Sequence, residues 1–345
     1  VSENIPDISV VVPVYGGEKT IRTLVEQTAE VMQAEGWKHE FILVCDHPRD
    51  CSWEVARELA ETRPEVISIL LRRNFGQHPA TLLGIRRARG TTIVTMDEDL
   101  QHDPSDLPTL IRASQSEEAI AYGVADELKH AWWRNATSRT AKFIVARYLG
   151  FHANDVSAFR AFPAAAREAF HDYRGERVAI DVLLSWAGAP VKSIRCQYQR
   201  RDEGESGYTF KKLVGYLLDL VLGYSTAPLR LASWLGIAAF FLAFAIAGYV
   251  LFTWLIHGSV VPGFAFLGLT IAVFAGVQLL SLGLIGEYLG RLYFNALGKP
   301  QYLVGSVVGA PVKGTTEEVG GLLASDEHTP PESKSRAEAE GANEP

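Results

Sequence analysis

Over the first hundred residues, short apolar runs alternate with longer stretches whose apolar positions recur every three or four residues. The runs "ISVVVPVY" (8–15), "HEFILVCD" (39–46), "VISILLRR" (66–73) and "TTIVTMD" (91–97) are mostly apolar, with many β-branched residues, and read as buried strands. Between them, "TIRTLVEQTAEVMQAEG" (20–36), "SWEVARELAETRP" (52–64) and "HPATLLGIRRARG" (78–90) read as helices, two of them stopped by Gly36 and Gly90. This alternation predicts an α/β domain with a mostly parallel, helix-flanked sheet. Ligands of such sheets bind outside the carboxyl ends of the strands, where Tyr15, Asp46 and Asp97 fall.

Farther along, the pattern loses its polar positions. Residues 231–256 and 264–286 carry no charge at all. A hydrocarbon core of roughly 30 Å needs about 20 helical residues, so each run predicts a membrane span. Arg230 precedes the first span, Arg291 and Lys299 follow the second, and the linker "HGSVVPG" has neither Lys nor Arg. The positive-inside rule then puts the linker outside and both large flanks, with both termini, in the cytoplasm. Amphipathic stretches at 132–150 and 208–225 precede the spans; the second, with Lys211 and Lys212, suits a helix lying in a membrane interface or packed on a surface. The predicted organisation is a domain over 1–200, a juxtamembrane segment over 201–230, spans at 231–256 and 264–290, a cytoplasmic segment at 291–312 and a disordered tail at 313–345.

Composition sharpens this. Hydrophobic residues make up 48 % of the chain, with the excess in the two spans. The net charge is −7, but the tail alone has eight acids against three bases, so the body is near neutral and nucleic acid is not an expected partner. Cys45, Cys51 and Cys196 fit no zinc spacing and point to a reducing compartment. The polar N-terminus "VSENIPD" does not resemble a signal peptide.

The candidate chemistry is "TMDEDLQHDP" (95–104), four carboxylates in seven residues at the end of a buried strand. If the extended conformation continues, Asp97, Asp99 and Gln101 share one face. Two carboxylates and an amide oxygen are hard ligands suited to Mg²⁺ or Mn²⁺, which bind substrate phosphates while keeping several waters. The competing expectation is a solvated acidic loop capping the next helix through Asp103 and Ser105.

With these residues in view, "VVVPVY", "LLRRNFGQHPATLLGI", "ARGTTIVTMDEDLQHDP", "GESGYTF" and "GLIGEYLGRLY" together resemble the family 2 glycosyltransferases that load a sugar onto a polyprenyl phosphate. Dolichol-phosphate mannose synthases belong there, as do the undecaprenyl-phosphate 4-deoxy-4-formamido-L-arabinose transferases, whose layout with two C-terminal spans is the most similar. The resemblance covers residues 8 to 304. It implies a GT-A fold, a nucleotide-diphosphate sugar donor, a polyprenyl phosphate acceptor in the lipid bilayer, Mg²⁺ or Mn²⁺, and a homo-oligomer, the family including tetramers. It places Asp97, Asp99 and Gln101 at the metal and diphosphate, Asp46 at the nucleoside, and Pro13 and Tyr15, with Glu18 nearby, at the donor. It makes Asp155 in "NDVSAFRAF" the residue beside sugar and acceptor, as base or orienting group, and Arg160 a phosphate ligand or a loop brace. Arg201, with Lys211 and Lys212, would meet the lipid phosphate.

Three departures stand out. Gly16-Gly17 replaces the family's Asn-Glu, "CDHP" replaces "DDGS", and Gly207 replaces a lysine. The expected activity is inverting sugar transfer at the cytoplasmic membrane face, for cell-envelope glycans. The alternatives are a dolichol-phosphate-mannose-synthase-like enzyme using GDP-mannose, a processive polysaccharide synthase, whose "QxxRW" tryptophan is absent from "QYQRR", and a non-catalytic nucleotide-binding scaffold.

Overall fold

The computed structural model describes residues 5–125, 156–175, 178–198, 227–257 and 263–309. The expectations for 132–150, 208–225 and 313–345, and for Asp155, Arg201, Lys211 and Lys212, lie outside them.

The N-terminal alternation folds as read. Strands β1 (Ile8–Val14), β2 (His39–Cys45), β3 (Val66–Leu71) and β4 (Thr92–Thr95) alternate with helices α1 (Ile21–Ala34), α2 (Ser52–Thr62) and α3 (Gln77–Arg87). Then come α4 (Leu107–Glu117), β5 (Ile120–Ala125), β6 (Arg160–Pro163), the short α5 (Ile180–Ser185) and β7 (Val191–Cys196). Helices α6 (Ala227–His257) and α7 (Phe264–Ala296) follow, and β8 (Val304–Val308) closes the described chain.

All eight strands form one mixed sheet in the order β7-β5-β6-β4-β1-β2-β3-β8. The pairs β1–β2, β1–β4 and β2–β3 are parallel, with Val11 opposite both Ile42 and Thr95. Strand β6 runs antiparallel to β4 and β5, while β5 and β7 are parallel. Every residue of β1 is buried, as a central strand covered on both faces requires. On one face Val10, Val12 and Leu43 pack with Leu24, Met32 and Leu59, and with Leu110 and Ile111 of α4. On the other, Val11 and Ile42 pack with Leu82, Leu83 and Ile85 of α3 and with Leu183 and Leu184 of α5. Helix α3 lies so close to β1 that a Cβ on Gly84 would stand 2.2 Å from a Val11 methyl, so only glycine fits. At the amino ends of the strands, buried Glu40 accepts from Ser9 Oγ (2.6 Å) and pairs with Arg89 Nη2 (2.7 Å), fixing the end opposite the functional one.

Helices α6 and α7 have 31 and 33 residues. At 1.5 Å per residue each runs to roughly 45–50 Å, beyond the roughly 30 Å hydrocarbon core. Their apolar side chains face outward: Phe244 is 73 % exposed, and Trp234, Phe240 and Leu279 are comparably bare. Water would not tolerate that surface, whereas lipid matches it. The two helices are those expected at 231–256 and 264–290, and the chain is a membrane protein.

Strand β8 was not foreseen, because 291–312 was read as a separate segment. It runs antiparallel to β3, with Ser68 opposite Val308. Just before it, Arg86 of α3 donates to Gln301 Oε1 (3.0 Å) and to the Tyr302 hydroxyl (3.1 Å), and Leu303 O accepts from Arg72 N–H (2.9 Å). The chain leaves the domain, traverses two apolar helices and returns to the edge of the same sheet.

Candidate active site

A cleft of about 340 Å³ opens at the carboxyl ends of β1, β2 and β4. Pro13, Val14 and Tyr15 line it from β1, Asp46 from β2, Asn74, Gly76 and Gln77 from the entry to α3, and Asp97, Glu98 and Asp99 from the loop after β4. Four of the lining residues are acids, and none is Lys or Arg. Three elements converge here because the parallel strands all end on this side.

Each acid is held differently. Asp97 Oδ1 accepts from Gln77 Nε2 (2.6 Å), at the first residue of α3. Glu98 turns inward, its two oxygens accepting from the N–H groups of Tyr15 (2.7 Å) and Gly16 (2.9 Å). Asp99 Oδ1 accepts from the Gln101 N–H (3.2 Å). Burial pushes the Glu98 carboxyl above its ordinary range; the two N–H bonds oppose the shift, and Asp97 and Asp99 add to it. Asp46, 4 % exposed, accepts from the N–H groups of Phe75 and Gly76, both at 2.7 Å. It thereby pins the turn into α3, where Gly76 has φ 97° and glycine is favoured. Tyr15 is 44 % exposed at the rim, and its ring is open to a ligand.

Of the residues expected at the donor and metal, Pro13, Tyr15, Asp46, Asp97 and Asp99 line this one cleft. Three others are elsewhere. Gln101 does not share a face with the two aspartates, because the extended conformation stops: β4 ends at Thr95, residues 98–99 turn, and Leu100 is left-handed at φ 57°. Gln101 Oε1 accepts instead from the Tyr198 hydroxyl. Glu18 points to the start of α2, its carboxylate 3.4 Å from the Cys51 N–H. Arg160 is 3 % exposed and braces the interior. Its Nη1 pairs with Asp181 Oδ1, its Nε donates to Thr95 Oγ1 (2.9 Å), and the Tyr122 hydroxyl joins the same Asp181 oxygen (3.2 Å). Burial is the largest influence and works against the Arg160 charge, but Asp181, Tyr122 and Asp97 together outweigh it and raise the guanidinium pKa. Set against the two expectations for Arg160, the structure shows it tied to Asp181, Thr95 and Tyr122.

His102 stacks on Phe159 and lies 3.4 Å from Ser157 Oγ; burial pulls its pKa down, with Asp99 and Asp106 opposing. Five lining residues are not among the expected site residues: Val14 beside Tyr15, Asn74, Gly76 and Gln77 inside the quoted "LLRRNFGQHPATLLGI" stretch, and Glu98, which counts in the sequence only as one acid of four.

The residues at hand fit a hard divalent cation shared with a ligand's phosphates. Of the four lining acids, Asp46 and Glu98 have both oxygens taken by main-chain N–H groups, which leaves Asp97 and Asp99, the number such an ion takes when phosphates and waters complete its shell. Among the described residues no group of three or more His, Cys, Asp or Glu forms a full protein cage.

A three-layer α/β domain with an acid-lined cleft at the strand ends, followed by two candidate membrane helices, has the layout of a membrane-associated enzyme. Residues 9–173 match the profile of glycosyl transferase family 2. A relative named undecaprenyl-phosphate 4-deoxy-4-formamido-L-arabinose transferase, from Pseudomonas paraeruginosa (strain DSM 24068 / PA7), is 33 % identical over 308 residues, covering 88 % of this chain and 91 % of that protein. One of the same name from Pseudomonas aeruginosa (strain UCBPP-PA14) is 32 % identical over 332 residues, covering 94 % and 98 %. Among solved structures, glucosyl-3-phosphoglycerate synthase from Mycobacterium tuberculosis with Mn²⁺ and UDP-glucose is similar at TM-score 0.43 and 14 % identity, over 63 % of this chain and 77 % of that one. The chain belongs to glycosyl transferase family 2, and it is a glycosyltransferase with a GT-A-like mixed sheet followed by two candidate membrane helices.

Proposed function

We propose that this enzyme transfers a sugar, with inversion, from a nucleoside-diphosphate sugar to a polyprenyl phosphate such as undecaprenyl phosphate, at the cytoplasmic face of a membrane. The carrying observation is an acid-lined cleft, without a lining cation, on a sheet whose last strand arrives from a membrane helix. The relatives named as undecaprenyl-phosphate transferases over most of the chain support the acceptor class.

The chemistry follows from charge. A phosphate monoester is largely dianionic at neutral pH, so the attacking oxygen needs little help from a base. It attacks the anomeric carbon; the bond from that carbon to the diphosphate oxygen breaks, and the nucleoside diphosphate leaves with the electron pair. The difficulty is bringing two anions together in a cleft that is itself acidic. Asp97 and Asp99 would hold Mg²⁺ or Mn²⁺, which when bound supplies positive charge at the leaving diphosphate. Gln77 orients Asp97, and Asp46 fixes the turn that forms the cleft floor. Tyr15 offers a face to the nucleoside. Asp155 orients the sugar or acceptor, and Arg201, Lys211 and Lys212 attract the lipid phosphate.

Among the described residues, the two candidate spans between β7 and β8, strands of one sheet, support placing both flanks on one side. Arg230, Arg291 and Lys299 flank the apolar helices and the linker has no Lys or Arg, which favours the cytoplasmic side. A homo-oligomer belongs to the same reading, since two spans from one chain enclose little of a lipid-facing site.

The test uses full-length protein in liposomes containing undecaprenyl phosphate, with a panel of UDP- and GDP-sugars. The expected result is an organic-extractable glycolipid, identified by mass spectrometry, that forms with Mg²⁺ or Mn²⁺ and not in EDTA. Asp99→Asn is expected to lower turnover by on the order of 10² or more while leaving the protein folded in the membrane. Nucleotide binding without a lipid product from any donor would defeat the proposal.

A further inference from the structure

Asp97, Glu98 and Asp99 all line the cleft, but Glu98 has both oxygens engaged by the main chain of another element. Glu98 Oε2 accepts from Tyr15 N–H at 2.7 Å, and Oε1 from Gly16 N–H at 2.9 Å, across 83 and 82 residues of sequence. It is a two-pronged, charge-assisted tie between the turn after β1 and the loop after β4. The turn is shaped to receive it. A Cβ on Gly17 would lie 3.4 Å from Glu98 Cβ and 3.5 Å from both Cγ and Cδ, in ordinary van der Waals contact, so the turn lies directly against the glutamate. A Cβ on Gly16 would lie 3.9 Å from Oε1. Holding a third carboxylate between two others costs electrostatic free energy, and the two N–H bonds offset that cost only while both form.

We propose that Glu98 is a positioning residue that fixes the span between the Tyr15 turn and the Asp97–Asp99 acids, and so sets the cleft to the length of a nucleoside diphosphate. This rests on the donor reading above, in which the Tyr15 turn meets the nucleoside and the aspartates face the diphosphate. In this role Glu98 acts through the turn it holds, both its oxygens being taken by main-chain N–H groups. Replacing it with glutamine removes one acceptor and turns an amide N–H₂ toward a main-chain N–H, donor against donor. Replacing it with aspartate shortens the reach by one methylene, which leaves one of the two bonds.

The test measures UDP and GDP binding by calorimetry on full-length protein in detergent, with Mn²⁺ and again in EDTA, followed by transfer kinetics. Glu98→Gln is expected to weaken nucleotide binding by about tenfold in both conditions, with Glu98→Asp recovering part of the loss. Donor KM should rise by a similar factor while the KM for polyprenyl phosphate stays within about twofold, a split that a general loss of stability would not produce. Asp99→Asn is expected to weaken binding only when Mn²⁺ is present. Unchanged nucleotide binding in both Glu98 variants overturns the inference, as does a loss confined to the Mn²⁺ arm, which would make Glu98 act through the cation. Wild-type protein that binds neither nucleotide would instead remove the donor reading, and this inference with it. If Glu98→Gln does not fold, as judged by circular dichroism, the same comparisons are made on Glu98→Asp.

Discussion

Removing Asp181 tests whether Arg160 is a brace. The Arg160 side chain is 4 % exposed and the Asp181 side chain 19 %, and the pair is tied to the sheet through Thr95 and Tyr122. Taking away one partner of a buried pair leaves an uncompensated charge, at about 3–5 kcal/mol. For a domain of this size, each kcal/mol moves the melting midpoint by about 2–4 °C, so Asp181→Ala should lower it by roughly 6–20 °C. Replacing both members with apolar residues of similar volume removes the stranded charge, so Arg160→Met with Asp181→Leu should recover most of that loss. The assay is thermal unfolding of the purified full chain in detergent, followed by circular dichroism, with nucleotide binding measured alongside. As a brace, Arg160 predicts that the double variant binds nucleotide within a few-fold of wild type. A midpoint for Asp181→Ala within about 2 °C of wild type would refute the buried-pair argument. A stable double variant that no longer binds nucleotide would favour Arg160 as a phosphate ligand.

Two further outcomes concern α3, which reaches both the cleft and the returning chain. Gln77→Ala takes away the amide that holds Asp97 and is expected to lower Mn²⁺ affinity by about 10- to 100-fold; affinity unchanged by titration would show that Asp97 needs no such partner. Arg86→Ala removes a guanidinium that donates to Gln301, Tyr302 and the carbonyl of Tyr173 (2.6 Å), and hydrogen-exchange protection of β8 amides should fall by about 10-fold or more. Protection equal to wild type would mean that pairing with β3 alone retains the strand.

The elements legible in the sequence are those whose pattern answers to local geometry. Strands β1 to β3 lie within a residue or two of their apolar runs, and α1 and α2 show helical spacing because each buries one stripe. The membrane helices were legible for a similar reason, since lipid demands an unbroken apolar length. What could not be read depends on partners distant in the chain. Strand β8 is "VGSVV", five residues with a glycine and a serine, and it is a strand because the edge of β3 is open to it. Arg160 looks like any arginine in an "FRAF" stretch; its burial follows from Asp181 and Tyr122. Gln101 was placed with the aspartates by carrying strand alternation past Thr95, and nothing local to "DEDLQ" announces that Leu100 turns left-handed or that Tyr198 takes the Gln101 oxygen.

The repulsion among the clustered acids is not removed by their partners. Two unit charges 4 Å apart interact by about 1 kcal/mol in bulk water and about 4 kcal/mol at the effective dielectric of a protein surface. The buried Arg160 acts on Asp97 through its charge, while Gln77 contributes a neutral amide to Asp97, Glu98 takes two main-chain N–H groups and Asp99 accepts from the Gln101 N–H. These bonds fix where the negative field points without reducing its total. The field is directed into the cleft, where an anionic donor alone would be repelled and a divalent cation attracted. On the proposed reading, the cation arrives with the diphosphate or before it, and relief of the stored repulsion becomes part of the binding free energy. Asp99→Asn should therefore have opposite effects on two measurements: it weakens nucleotide binding in Mn²⁺, and it raises the melting midpoint of the cation-free protein by removing one repelling charge. A fall in that midpoint would mean that the Asp99–Gln101 turn matters more to stability than the repulsion does, and the stored-repulsion argument would fail.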